Sequence, residues 1–236
     1  MSHFEQRKFI EVISHELKKI EGFDNMSVLD VGSYDGGWGS TKSNFVKNEY
    51  LGVDLAAGPN VDVVLDGSRL DKLNKKFDII ISCECFEHAE NWVSIFRSMY
   101  ETCKNNGFVI FTCASRGRIE HGTSRTINSD SPGTNDTYYN NIFKSHFEKK
   151  FILNDLFKNF ELFYNIKSSD LYFIGQKGEN CSLNFKEINR QIKKIKNKER
   201  KVKIFRIILS YILNDRNYQN FTFLRRAIKE KFSKKQ

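Results

Sequence analysis

Val28-Leu29-Asp30-Val31-Gly32-Ser33-Tyr34-Asp35-Gly36-Gly37 runs an apolar strand straight into a glycine-containing turn. This is how α/β proteins bring backbone close to a nucleotide. A second apolar strand, Tyr50-Leu51-Gly52-Val53, ends in Asp54, 18 residues past Gly36, where a carboxylate can accept from both hydroxyls of a ribose. A third, Val61 to Leu65, ends in Asp66-Gly67. A glycine turn alone is weak evidence, and an Asp after a strand commonly caps a helix or opens a turn. Asp30, Asp54 and Asp66 at three successive strand ends are better explained together, because ligands of open parallel sheets bind outside the carboxyl ends of the strands.

Outward from this stretch, Phe4, Phe9, Ile10, Ile13, Leu17 and Ile20 recur at helical spacing and predict an amphipathic helix over 4–21, ended by Gly22. A helix is expected from about Gly37 to Lys47. The continuous β-branched run Ile79-Ile80-Ile81 inside Phe77 to Ser82 reads as a central strand covered on both faces. A helix over 91–104, stopped by Asn105-Asn106-Gly107, leads to a strand from Phe108 to Cys113, and 161–166 with 171–175 reads as a terminal hairpin. The βα alternation predicts a mostly parallel sheet with right-handed crossovers. Residues 115–143, polar and aperiodic around Ser131-Pro132-Gly133, are too long for a casual connection and leave the strand end beside the crevice. They read as a substrate-binding lid.

The net charge of +9 is unevenly spread: residues 186–236 hold 17 Lys and Arg against four acids, +13, leaving −4 for residues 1–185. A nucleic-acid substrate wants its positive field around the cleft itself, so this distribution argues against one. No signal-peptide run opens the chain, and a cytoplasmic location is expected. Cys83, Cys85, Cys103, Cys113 and Cys181 have no paired zinc spacing and read as free thiols. Length allows one α/β domain over 1–180 with a basic helical C-terminal extension over 181–236. Within that extension the apolar run Ile204 to Leu213 is too short to span a bilayer. It points to a peripheral contact with the inner face of a membrane, to a dimer contact or to packing on the domain.

Asp-x-Gly-x-x-x-Gly after the first strand, Gly-Val-Asp on the second, and Phe77-Asp78-Ile79-Ile80-Ile81-Ser82-Cys83-Glu84-Cys85-Phe86-Glu87-His88 on the fourth resemble the class I S-adenosylmethionine-dependent methyltransferases over roughly residues 25–177. Tyr34 stands where the family usually has Gly. Glu120-His121-Gly122-Thr123 and the stretch around Asp136, with Tyr138-Tyr139, look like a small-molecule and glycan branch. The resemblance implies a Rossmann-like seven-stranded, mostly parallel sheet with an antiparallel last strand, and S-adenosylmethionine as cofactor. The turn Gly32, Ser33, Tyr34 and Gly36 would meet its methionine part, with Asp30 fixing the turn or holding the ammonium through water. Asp54 would bind the ribose, and Asp66 with Gly67 the adenine. Glu84 would face the methionine end, and Leu55 or Phe86 would pack on the adenine or sit in the core.

Methyl transfer to a hydroxyl requires alignment and usually proton removal, and it needs no metal in principle; none is expected. His121 and His88 compete as the base, beside a structural role for either. Arg116, Arg118 and Arg125, with Tyr138 and Tyr139, form the expected substrate surface, since guanidinium groups bind phosphate and carboxylate. The reading is thus an O-methyltransferase for a small or glycan-linked anionic acceptor in surface-polysaccharide biosynthesis. The rivals are an RNA or protein methyltransferase that uses the basic tail and a non-catalytic cofactor-binding scaffold. A nicotinamide-dependent reductase fits less well, since the turn lacks Gly-x-Gly-x-x-Gly.

Overall fold

The computed structural model describes residues 4–135, 137–179, 183–194 and 200–233; Asp136 and Cys181 lie outside them. The strands are β1 (Ser27–Val31), β2 (Glu49–Asp54), β3 (Val63–Val64), β4 (Phe77–Cys83), β5 (Cys103–Ala114), β6 (Asn159–Asn165) and β7 (Asp170–Gln176). They form one sheet in the order β3-β2-β1-β4-β5-β7-β6. The pairs β2·β3, β1·β2, β1·β4 and β4·β5 are parallel, and β5·β7 and β6·β7 antiparallel. The strand order therefore reverses between β1 and β4, and the crevice of a doubly wound sheet opens at that switch point.

Alternation sends successive side chains to opposite faces. Val28, Ile79, Ile81, Phe108, Ile110, Tyr172 and Ile174 pack under α1 (Phe4–Leu17) and α5 (Phe185–Lys194), which contribute Phe9, Ile10, Ile13 and Leu17 on one side and Phe185, Ile188 and Ile192 on the other. The opposite face carries Leu29, Val31, Ile80, Val109, Phe111 and Phe173 beneath α2 (Trp92–Thr102), α3 (Lys144–Lys150) and α4 (Leu153–Leu156). This second layer is an aromatic stack: Phe111 lies flat between Phe147, at 4.7 Å, and Phe173, at 5.0 Å, with Phe96 edge-on to both Phe111 and Phe173. The chain ends in α6 (Arg200–Ile212) and α7 (Asp215–Ser233).

The helix expected from Gly37 to Lys47 is not formed; only a single 3-10 turn, Thr41–Asn44, stands there. The reason is local. Asp35 Oδ1 accepts from the amides of Gly37, Trp38 and Gly39 at 2.9, 3.0 and 3.1 Å, and Gly37 and Gly39 take positive φ of 92° and 98°. The segment's donors are thereby spent on a side chain rather than on a helix. The third strand shrinks to Val63–Val64, and the fifth starts at Cys103, ahead of the Asn105-Asn106-Gly107 turn signal.

Candidate active site

The carboxyl ends of β1, β2 and β4 surround a cleft of about 240 Å³. Gly32, at φ 81°, turns the chain out of β1 so tightly that a Cβ there would sit 2.9 Å from Cys85 Cβ. The amides of Gly32 and Ser33 both donate to Val53 O, at 2.9 and 3.1 Å, which ties the turn to β2; Ser33 Oγ donates to Asn60 O at 2.9 Å. Tyr34 N donates to Asp54 Oδ2 and Ala56 N to Asp54 Oδ1, both at 3.1 Å. The Asp54 carboxylate, which also takes the Leu55 amide, lines the cleft. Burial raises the Asp54 carboxyl above its ordinary value. The Tyr34 ring lies over Gly58, where a Cβ would meet it at 2.2 Å, so the aromatic side chain in the usual glycine position folds against the loop after β2.

Asp66 Oδ1 accepts from Ser68 N at 2.8 Å and so caps the 3-10 turn Gly67–Leu73, while Gly67 lets that turn close on Val31. Leu55, about half exposed, lines the cleft; Phe86 does not. The Phe86 ring is fully buried against Phe111, Phe147 and Trp92, so its place is the core, by the ordinary preference of a large apolar ring for close packing. Gly36 is exposed and borders a separate cavity of about 60 Å³ with Asp30, Ser33 and Thr41. Asp30 Oδ2 accepts from Thr41 Oγ1 at 2.7 Å and from the Tyr50 hydroxyl. Glu84 sits at φ 56°, in the left-handed region that an ordinary residue occupies at a cost of about 1–3 kcal/mol. Its carboxylate accepts from Thr112 Oγ1 at 3.1 Å.

The segment after β5 lies over this cleft. Ser131, Pro132, Gly133 and Thr134 form part of its wall, and a Cβ on Gly133 would stand 3.1 Å from Ala56. The three arginines of this segment are engaged within the chain. Arg118 donates to Ser168 O at 3.2 Å and to Glu84 Oε2 at 3.4 Å, with Asp170 at 3.7 Å. Arg116 is sandwiched between Phe143 and Tyr211, at 4.3 and 3.9 Å. Arg125 bridges Glu120, Asn220 and the face of Phe223. As the structure stands, their guanidinium groups pack the segment together, and no anion-binding surface forms from the three.

The partner in that packing is α7, which brings the C-terminal extension onto the domain, one of the placements expected for it. Tyr218 donates to Gly117 O at 2.8 Å, Gln219 accepts from Glu120 N at 2.9 Å and donates to Arg118 O at 3.0 Å, and Asp215 accepts from Asn141 Nδ2 at 2.7 Å. These contacts join residues 74 to 101 positions apart, and no local pattern in the sequence encodes them.

His88 and His121 meet. Their rings are edge to face at 5.0 Å, and Tyr139 packs edge-on to both, at 5.5 and 5.2 Å; Tyr138 is half-buried nearby in sequence. Between the histidines lies Glu87, which the sequence reading did not single out as a site residue. Its carboxylate is fully buried, and His121 Nε2 stands 3.9 Å from its Oε1. Burial pushes Glu87 up to about 8 and His88 down to about 3, and lowers His121 well below its ordinary value. His88 also lines the cleft. Cys83 and Cys85 reach the cleft too, as thiols: burial raises both, Cys85 to about 12.

Residues 1–138 match the family described as methyltransferase domain. Curated protein sequences give no match. Among solved structures, the plantazolicin methyltransferase BpumL in complex with SAH superposes with a TM-score of 0.52 at 15% identity, covering 74% of this chain and 85% of that one. The CurJ carbon methyltransferase superposes at 0.51 and 11%, covering 74% and 55%. At these identities the likeness concerns the fold. The chain belongs to the methyltransferase domain family, and its fold is that of the class I S-adenosylmethionine-dependent methyltransferases.

Proposed function

We propose that this protein transfers a methyl group from S-adenosylmethionine to a hydroxyl of a small acceptor. The observation that carries the reading is the convergence of the Gly32 turn, Asp54 and Asp66 on one cleft, walled on its far side by His88. The residues present fit the cofactor. Asp54 lines the cleft where the ribose would lie, Asp66 and Gly67 stand at the adenine end, and the Gly32 turn with Glu84 borders the methionine end. When bound, S-adenosylmethionine supplies an electrophilic methyl on a sulfonium.

The acceptor oxygen then takes the methyl in line as the S–CH3 bond breaks and its electron pair stays on sulfur. The hydroxyl proton leaves at the end of the cleft where His88 stands, with His121 and Glu87 packed behind it. The 131–134 stretch excludes water from the reacting centre. With the three arginines occupied, the structure gives an anionic acceptor no support, and a sugar hydroxyl in surface-polysaccharide biosynthesis rests on sequence resemblance alone. The test is S-adenosylhomocysteine release over a panel of neutral and phosphorylated sugars and small alcohols, read with the 14-dalton gain of the acceptor by mass spectrometry. Release with a hydroxyl acceptor supports the reading; release only with amine, carbon or nucleic-acid acceptors overturns it.

We further infer that α6 and α7 rest on an anionic membrane surface. Phe205, Ile208, Tyr211, Ile212, Leu224 and Ile228 are exposed beside Arg206, Arg225, Arg226 and Lys229, the pairing of apolar and basic side chains that suits an interfacial helix. Among the described residues no helix is long and apolar enough to cross a membrane.

A further inference from the structure

Glu87 is a buried acid with an unmet demand for polar partners. It follows Phe86 in the 3-10 turn Phe86–His88 just after β4, and both of its carboxylate oxygens are buried without a hydrogen bond among the described residues. His88 Nδ1 and His121 Nε2 are buried and equally without a hydrogen bond. A buried carboxylate left unpaired costs several kcal/mol, and native proteins resolve such groups by pairing them or by coordinating a metal. Here the three side chains face one another: one ligand atom from each, all within 4.8 Å of one another, surround a common point.

The surroundings are those of imidazole ligands. His121 Nδ1 lies 3.1 Å from Ile119 O, a contact that a carbonyl can only accept, so the proton sits on Nδ1 and the Nε2 lone pair points at Glu87. Metal-bound histidines are held in this way by a second hydrogen bond to a carbonyl or carboxylate. Gly122, at φ 66°, brings backbone against His88, where a Cβ would lie 2.8 Å from its Cε1, and Tyr139 closes the remaining side. Neither His has freedom to swing away.

We propose that Glu87, His88 and His121 form a binding site for one divalent first-row transition-metal ion at the acceptor end of the cleft. Two imidazoles and one carboxylate are a donor set that takes zinc, iron, cobalt or manganese and leaves coordination positions open. Metal–ligand bonds of about 2.0–2.1 Å place tetrahedral donors about 3.4 Å apart, so the three side chains need to close by little more than 1 Å from their present spacing. Because His88 lines the cleft, an open position faces the bound acceptor. On the methyl-transfer reading, with which this part of the inference stands, the acceptor is one that presents an oxygen donor to the ion; the ion site itself does not depend on that reading.

The test uses the full untagged chain after chelator treatment, titrated with Co²⁺ alone and followed by visible absorption and calorimetry, with S-adenosylmethionine binding measured separately. The site predicts one equivalent of cobalt per chain with a ligand-field band, and at least about 100-fold weaker binding in Glu87→Gln and in His121→Gln. Metal-free Glu87→Gln should melt no lower than the metal-free wild type, because Gln fills the same space, and it should lose the rise in Tm that the wild type gains from cobalt. Absence of the band, or undiminished binding in both variants, overturns the site. Cobalt binding without S-adenosylmethionine binding leaves the site standing and contradicts the methyltransferase reading; the opposite pattern does the reverse.

Discussion

Asp30 shows how one residue type at a strand end divides its roles. Asp54 and Asp66 line the cofactor cleft, whereas Asp30 takes both Thr41 and Tyr50 on a single oxygen, Oδ2. Burial raises Asp30 from 3.8 to about 6 in spite of those hydrogen bonds. The folded chain therefore holds a proton there that the unfolded chain has released. Stability from this group is full below about pH 4 and is lost as the pH rises through about 6, in total about 3 kcal/mol. Asp30→Asn should flatten the pH dependence of Tm between pH 4 and 6, with little change below pH 4; an unchanged slope would remove Asp30 from this role. The three aspartates were legible as a set because each follows an apolar run. What divides them, the reach of Tyr50 across the sheet edge, is set in space and left no trace at position 30. Glu87 was hidden for a similar reason. It sits beside His88 in a stretch already explained as a helix start, and only the return of His121 from the far side of β5 gives it a partner.

At the level of the element, the strands were readable and the first connection was not. Runs such as Ile79-Ile80-Ile81 and the Asn159–Gln176 hairpin declare themselves by β-branching and alternation. Between β1 and β2, helical spacing of residues 37–47 competed with glycines and with an Asp35 side chain that takes three amides at once, and the side chain won. That cap holds the turn that flanks the cofactor cleft. Asp35→Ala should cost about 1–2 kcal/mol of stability, the usual size of a lost capping carboxylate, and weaken S-adenosylmethionine binding several-fold. Denaturant midpoints and a binding isotherm of the same preparation check both. A variant as stable as wild type would show that water satisfies those amides equally well.

Across the whole molecule, the C-terminal extension does more than carry charge. Its composition announced basic helices, but the anchoring of α7 on the 117–141 segment through Asp215, Tyr218 and Gln219 ties the C-terminal helices to the segment over the cleft. The sequence holds no signal for it beyond ordinary polar residues. Tyr218→Phe with Gln219→Ala should raise amide exchange in residues 117–123 at least tenfold and leave the β1 and β4 amides unchanged, as expected for a segment whose local opening free energy drops by about 1–2 kcal/mol. Uniform acceleration throughout the chain would mean global destabilisation instead. The exposed apolar side chains of α6 and α7 bear on a different partner. Co-sedimentation with anionic vesicles that falls as salt rises is expected for a membrane-surface role, whereas concentration-dependent dimerisation without vesicle binding would assign the same face to a second copy of the chain.

The claim on which the rest depends is that the switch-point cleft holds S-adenosylmethionine through Asp54. Calorimetric titration of the full chain with S-adenosylmethionine, wild type against Asp54→Ala, tests it most directly. The account expects micromolar binding at one site per chain, weakened by at least about 2 kcal/mol, or some 30-fold, when the ribose loses its charged acceptor. No binding by the wild type, or equal binding by the variant, would contradict it.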